Sequence, residues 1–177
     1  FNGNIVIYGG TFINYDPSAD ASVVVSTGYK VESKTLESGD VIYTVVKDFE
    51  AELQDDEIYI MTSADLVAFA ESVKEGNTYE GKTVYLMNDI DLFGINWTPI
   101  GTNYKNAFRG TFDGNNFTIY NLSVRSDSHA GFFGYLCGTA KNINFVGANV
   151  NSYHWAGVVA AVCYTKIDNC HVYDSTV

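Results

Sequence analysis

Ile119-Tyr-Asn121-Leu-Ser-Val124, Ala140-Lys-Asn142-Ile-Asn-Phe145 and Ile167-Asp-Asn169-Cys-His-Val172 share one pattern, x-x-Asn-apolar-x-apolar, at separations of 21 and 27 residues. Two glycine-centred runs, Gly131-Phe-Phe-Gly134 and Gly157-Val-Val-Ala160, lie between them, 26 residues apart. Units of this length are too short to bury an apolar face alone, so they are expected to stack over one continuous core as a solenoid. Strands that alternate inward apolar and outward polar residues place Leu122 over Ile143 over Cys170, and Val124 over Phe145 over Val172. Asn121, Asn142 and Asn169 then occupy equivalent turns. Asparagine tolerates unusual backbone angles there, and its amide reaches the neighbouring layer. Asp113, in Gly-Thr-Phe-Asp-Gly-Asn-Asn116, and Gly131, Gly134 and Gly157 are read as structural turn residues of the same stack.

Working outward, residues 1–50 read as strands cut by turns, with a hairpin loop at Glu37-Ser-Gly-Asp40. Residues 51–62 read as an acidic linker or strand, and 63–177 as the helix-capped start of the stack. The helix signal is Ser63-Ala-Asp-Leu-Val-Ala-Phe-Ala-Glu-Ser-Val-Lys-Glu-Gly76. Ser63 is its expected N-cap, Leu66, Phe69, Ala70 and Val73 its apolar stripe, and Gly76 its stop.

The chain has 177 residues, 46% of them hydrophobic and 18% charged, with a formal net charge of -11. That charge opposes nucleic acid and anionic membrane surfaces as partners. Apolar runs such as Gly157-Val-Val-Ala-Ala-Val-Cys163 fall far short of the roughly 18 residues of a membrane span, so no membrane insertion is expected. Cys137, Cys163 and Cys170 have no paired CxxC spacing and read as buried structural thiols; the sequence leaves a Cys163–Cys170 bridge open. Phe1 opens the chain without a leader and Val177 closes it inside a strand-like pattern, so a piece of a longer protein is expected.

Gly81-Lys-Thr-Val-Tyr-Leu-Met-Asn-Asp-Ile-Asp-Leu92, Trp97-Thr-Pro-Ile-Gly101 and Phe108-Arg-Gly-Thr-Phe-Asp-Gly-Asn-Asn-Phe-Thr-Ile-Tyr-Asn-Leu122 together resemble the opening of right-handed parallel β-helix domains with GLUG-type repeats. The repeat proper is matched at 131–145 and again at 157–172, where Ala160-Ala161 stands in place of a further glycine and implies a local distortion. The N-terminal Ile7-Tyr-Gly-Gly-Thr-Phe-Ile-Asn-Tyr-Asp-Pro-Ser18 resembles the closing turns of another β-helix, found in gut bacterial surface proteins and phage tail or fibre proteins. The resemblance implies an all-β, right-handed parallel β-helix with one short capping α-helix, located extracellularly, on a bacterial cell surface or virion. It implies a structural or adhesive role without catalysis, and self-association or a homotrimer in a fibre.

Three functional classes follow. Carbohydrate binding is supported by 13 Tyr, 11 Phe and 2 Trp, because sugars stack their apolar faces on rings and bond polar edges. Trp97, Tyr104, Tyr153 and Trp155 fall in expected turns and are the favoured ligand-binding residues, with surface glycans or polysaccharide as partners. The alternative is a polysaccharide lyase or glycoside hydrolase using carboxylates among Asp89, Asp91 and Asp113. Arg109 and Arg125 are the only arginines, too little positive charge for a lyase acting on acidic sugars. His129, His154 and His171 have no metal-ligand spacing, so no metal and no cofactor is expected. Calcium on Asp- and Asn-rich turns is the remaining possibility, without a recognised loop spacing. The third class is a pure spacer.

Overall fold

The computed structural model describes residues 5–25, 28–48 and 56–177, and the chain divides into two compact units, Phe1–Glu52 and Leu53–Val177. Most of the acidic run from 48 to 57 lies outside the described residues.

In the first unit the strands are β1 (Ile5–Ile7), β2 (Gly10–Ile13), β3 (Val23–Val25), β4 (Tyr29–Thr35) and β5 (Val41–Lys47). β1 pairs with β3 in parallel, whereas β2, β5 and β4 form an antiparallel sheet. Gly39, at φ +90°, turns the chain between β4 and β5, and Leu36 N–H donates to Asp40 O at 2.8 Å. A loop this short can return a strand only antiparallel; a parallel partner needs a crossover of a dozen or more residues.

The second unit begins with β6 (Glu57–Ile60), α1 (Ser63–Lys74), β7 (Thr83–Leu86), β8 (Ile90–Asp91), β9 (Thr111–Asp113) and β10 (Thr118–Tyr120). It continues through β11 (Ser123–Ser126), β12 (His129–Ala130), β13 (Phe133–Leu136), β14 (Thr139–Lys141) and β15 (Asn144–Val146). It closes with β16 (Asn149–Ser152), β17 (Trp155–Ala156), β18 (Ala160–Cys163), β19 (Lys166–Asp168) and β20 (His171–Tyr173). All their pairings are parallel, in the orders β19-β14-β9-β7-β6 and β20-β15-β10-β8, with the pairs β11-β16, β12-β17 and β13-β18.

These findings correct the expected fold class. The chain is all-β in the loose sense of many short strands, but it is not a single right-handed parallel β-helix. Among the described residues the strands fall into seven small separate sheets, one of them antiparallel. The physical causes are the tight reversal at Gly39 and the brevity of the later strands, two to four residues each. Residues in left-handed conformation, among them Asn121, Asn142 and Asn169, end the runs.

The expected layering is corrected too. Phe145 lies beside Ile119, not Val124, and Val124 pairs with Val150. The inward columns are Ile58–Val84–Phe112–Ala140–Ile167 and Ile90–Ile119–Phe145–Val172. All of these are buried except the last member of each. Between Ala130↔Ala156 and Phe133↔Ala160 the offset grows from 26 to 27 residues, so one extra residue is accommodated in the Gly157–Ala161 stretch.

α1 packs Leu66, Phe69, Ala70 and Val73 inward. Phe69 lies 4.9 Å from the ring of Tyr79, 5.7 Å from Phe108 and 6.0 Å from Phe112, centroid to centroid. Its N-cap is Thr62 rather than Ser63. Thr62 Oγ1 accepts from Asp65 N–H at 3.1 Å, and Asp65 Oδ2 accepts from Thr62 N–H at 2.9 Å, a reciprocal capping box. Thr62→Ala is expected to cost about 1 kcal/mol, read as a lower midpoint in urea, with Thr62→Ser restoring most of it.

Candidate functional site

The expected asparagine row separates into two. Asn116, Asn142 and Asn169 form one, all at positive φ (64°, 55° and 48°). Asn169 Nδ2 donates to Asn142 Oδ1 at 2.9 Å, and Asn116 N–H to Asn142 O at 2.8 Å. Asn121 (φ 55°) belongs to the other, with Gly147 (φ 68°) and Asp174 (φ 48°), and its amide donates to Asp91 Oδ1 at 2.8 Å. The amides of Asn121, Asn142 and Asn169 each reach a side chain of the neighbouring layer, Asp91, Asp113 and Asn142 in turn.

Asp113 is buried beside the first row. It accepts from Asn115 N–H at 3.0 Å and Asn142 Nδ2 at 3.0 Å, and pairs with Lys141 Nζ at 3.0 Å. Burial alone would push its pKa up, but the Asn115 and Asn142 bonds and the Lys141 charge outweigh this and hold it below the usual carboxylate range. The Asn121 and Phe93 bonds hold Asp91 low as well. Asp89 accepts from Thr118 N–H at 2.8 Å. Glycoside hydrolysis needs one carboxyl with a raised pKa; Asp91 and Asp113 are shifted the opposite way, and all three carboxylates are engaged in binding turns.

Gly131, Gly134 and Gly157 allow close approach of neighbouring backbone. A Cβ on Gly131 would sit 2.5 Å from Gly157 O, and one on Gly157 would collide with Ala160 O. The thiols differ from expectation: Cys137 and Cys170 are half-buried, Cys163 is exposed, and no bridge joins Cys163 to Cys170. Cys163 pairs in register with Leu136 on the last strand of its sheet, so nothing in that sheet lies beyond it.

Of the four favoured rings, Trp97 is corrected. It is 3% exposed, stacks on Phe132 at 5.3 Å and 5°, and donates its indole N–H to Phe132 O at 3.1 Å. Its one polar atom is satisfied inside, which makes it a core residue.

Trp155, Tyr153 and Tyr104 are exposed, at 59%, 81% and 57%. Trp155 pairs with His129 across β12 and β17, and their rings lie 6.5 Å apart at 9°. His129 Nδ1 meets Ser128 Oγ at 2.6 Å, and Nε2 meets the Tyr135 hydroxyl at 2.9 Å. Partial burial, helped by nearby His154, holds the His129 pKa below its ordinary value, so the ring is neutral at neutral pH. Trp155 therefore lies parallel to a flat ring that is fixed at both nitrogens. Tyr104 packs edge-on to Tyr164 at 5.5 Å, and the Arg109 guanidinium lies 5.3 Å from its ring centroid. The pairings of His129 with Trp155 and of Tyr164 with Tyr104 were missed because they join segments distant in sequence, whereas the His129–Tyr135 contact is local but has no motif to mark it.

Among the described residues no group of three or more His, Cys, Asp or Glu is placed to hold a metal ion. No helix among them is long and apolar enough to cross a membrane.

No protein-family model matches the chain, and no curated protein matches it. A solved structure from Bacteroides ovatus, named "putative immunoglobulin A1 protease", is similar to it, with 26% sequence identity and a TM-score of 0.52. The similarity covers 64% of this chain and 36% of that one, so this chain corresponds to little more than a third of that protein.

Proposed function

We propose that this chain is a structural and adhesive module of an extracellular bacterial surface or virion fibre protein, and that it binds surface glycans through exposed rings without catalysing a reaction. The observation that carries the reading is the Trp155–His129 stack, a wide apolar surface held flat and open to solvent. Tyr153, next but one along the chain, adds a second exposed ring, and Ser128 and Tyr135 carry hydroxyls beside it. Rings flanked by fixed polar groups suit pyranose faces and their equatorial hydroxyls.

The protease name of the structural neighbour prompts a check of Ser128 and His129, which are hydrogen-bonded. A serine nucleophile needs a histidine whose far nitrogen is oriented by a carboxylate; here that nitrogen meets the Tyr135 hydroxyl. The pair therefore supports a rigid binding surface better than acyl transfer.

Trp155→Ala is expected to weaken binding to a glycan bound by the wild type about tenfold, with the melting temperature unchanged, as measured by titration calorimetry. Unchanged affinity in a folded Trp155→Ala, Tyr153→Ala double variant would remove the basis of this reading.

A further inference from the structure

The sheet β20-β15-β10-β8 turns Ile90, Ile119, Phe145 and Val172 to one side, the first three buried and Val172, on the last strand, exposed. Alternation along each strand sends the residues on either side of this column to the opposite face. One outer column is Asp91–Tyr120–Val146–Tyr173, and the other contains Thr118–Asn144–His171 with Asp89 bonded to Thr118 at its head. Tyr120 and Tyr173 are exposed, with the shorter, half-buried Val146 between them. Phe93, 82% exposed, joins the head of the aromatic column, where its N–H donates to Asp91 Oδ1 at 2.9 Å. The His171 ring stacks on Tyr173 at 6.2 Å and 22°, and His171 Nε2 lies 3.0 Å from Asn169 Oδ1. A column with tyrosines on two of its four strands thus runs beside a polar one.

We infer that this face binds an extended, neutral β-1,4-linked glycan chain laid across the strands, with sugar rings on Tyr120 and Tyr173. The inference rests on the reading of the chain as a carbohydrate-binding module and gives that module a polymer as its ligand. Tyr120 and Tyr173 stand two strand spacings apart, about 9.5 Å. In an extended β-1,4 chain alternate sugars present the same face, at a repeat close to this distance. Val146, with its shorter side chain, faces the intervening sugar, and the Thr118 hydroxyl, the Asn144 amide oxygen and the flat His171 ring lie along its edges, the Asn144 Nδ2 donating to Asn116 O at 2.7 Å. Asp89, Asp91 and the net charge of -11 disfavour acidic sugars.

The test is calorimetry and affinity electrophoresis of the whole chain with glucomannan, xylan and hydroxyethylcellulose, and with a disaccharide and a hexasaccharide of the same linkage. The hexasaccharide is expected to bind the wild type about tenfold more tightly than the disaccharide. Tyr120→Ala with Tyr173→Ala should abolish that gain, and Tyr120→Phe with Tyr173→Phe should keep most of it. Both tyrosines are exposed, so the fold is expected to survive, as checked by circular dichroism. A gain that persists in the double alanine variant, or that never exists while short sugars still bind through Trp155, overturns this inference alone. A wild type that binds none of these sugars or polymers overturns it, and binding of other glycans on an array decides whether the broader reading falls with it.

Discussion

Phe112→Ala is expected to destabilise the second unit by about 3–5 kcal/mol, a large share of a typical domain's total stability. Phe112 is fully buried at the centre of an aromatic cluster. Its ring lies 6.0 Å from Phe69, 5.4 Å from Phe132 and 5.7 Å from Phe133, centroid to centroid. It also occupies the middle of the inward column, between Val84 and Ala140. Truncation there removes the ring from α1, β13 and the glycine-centred run at once, and short strands on every side have little freedom to collapse into the space. The expected result is a fall in melting temperature of roughly 10 °C, with a smaller fall for Phe112→Leu. A change below about 1 kcal/mol in urea would mean that the aromatic cluster is not the main source of stability.

Gly134→Ala is expected to have the next largest effect. A Cβ at this position would lie 2.5 Å from Gly101 O and 3.2 Å from Pro99 Cβ. The backbone cannot simply move aside, because Gly134 N–H donates to Ile100 O at 2.9 Å and Tyr135 N–H to Gly101 O at 2.8 Å. The methyl group must break those bonds or distort β13, at a cost of about 1–3 kcal/mol. Alanine stands at the in-register position of the next strand, Ala161, between the pairs Phe133↔Ala160 and Tyr135↔Val162. The requirement for glycine is thus set by the close approach of Gly101 and not by the strand itself. A Gly134→Ala variant as stable as the wild type would show that the 99–101 segment shifts freely. Ala161→Gly is expected to change stability much less.

The repeated alternation of apolar residues and the helix were legible because both depend on local periodicity. The register was not. Asn116-Phe-Thr-Ile119 and Asn121-Leu-Ser-Val124 both fit Asn-apolar-x-apolar, five residues apart, so the motif alone matches two positions. Spacing separates them: Asn116, Asn142 and Asn169 are 26 and 27 apart, in keeping with the strand pairings, whereas Asn121 to Asn142 is 21. The hairpin loop at Glu37–Asp40 is legible from its turn residues, but the antiparallel sheet it builds with β2 depends on pairing between residues about thirty apart, which no local pattern marks.

The candidate site was legible in part. Trp155, Tyr153 and Tyr104 are exposed, but Trp155 lies on strand β17 and not in the expected turn. Trp97 differs because its partner, Phe132 O, lies 35 residues away and satisfies the indole N–H in the interior. No local pattern distinguishes a tryptophan with such a partner from one without. Tyr120 and Tyr173 acquire meaning only once their strands are known to share a sheet with Val146 between them.

The most direct measurement is binding of the purified, folded chain to a broad glycan and polysaccharide array, with and without calcium. The account predicts selective, saturable binding that is insensitive to calcium and falls when Trp155 is replaced by alanine. A folded chain that binds nothing on the array would contradict it and leave a spacer, and short glycans bound equally well without Trp155 would contradict the Trp155 surface.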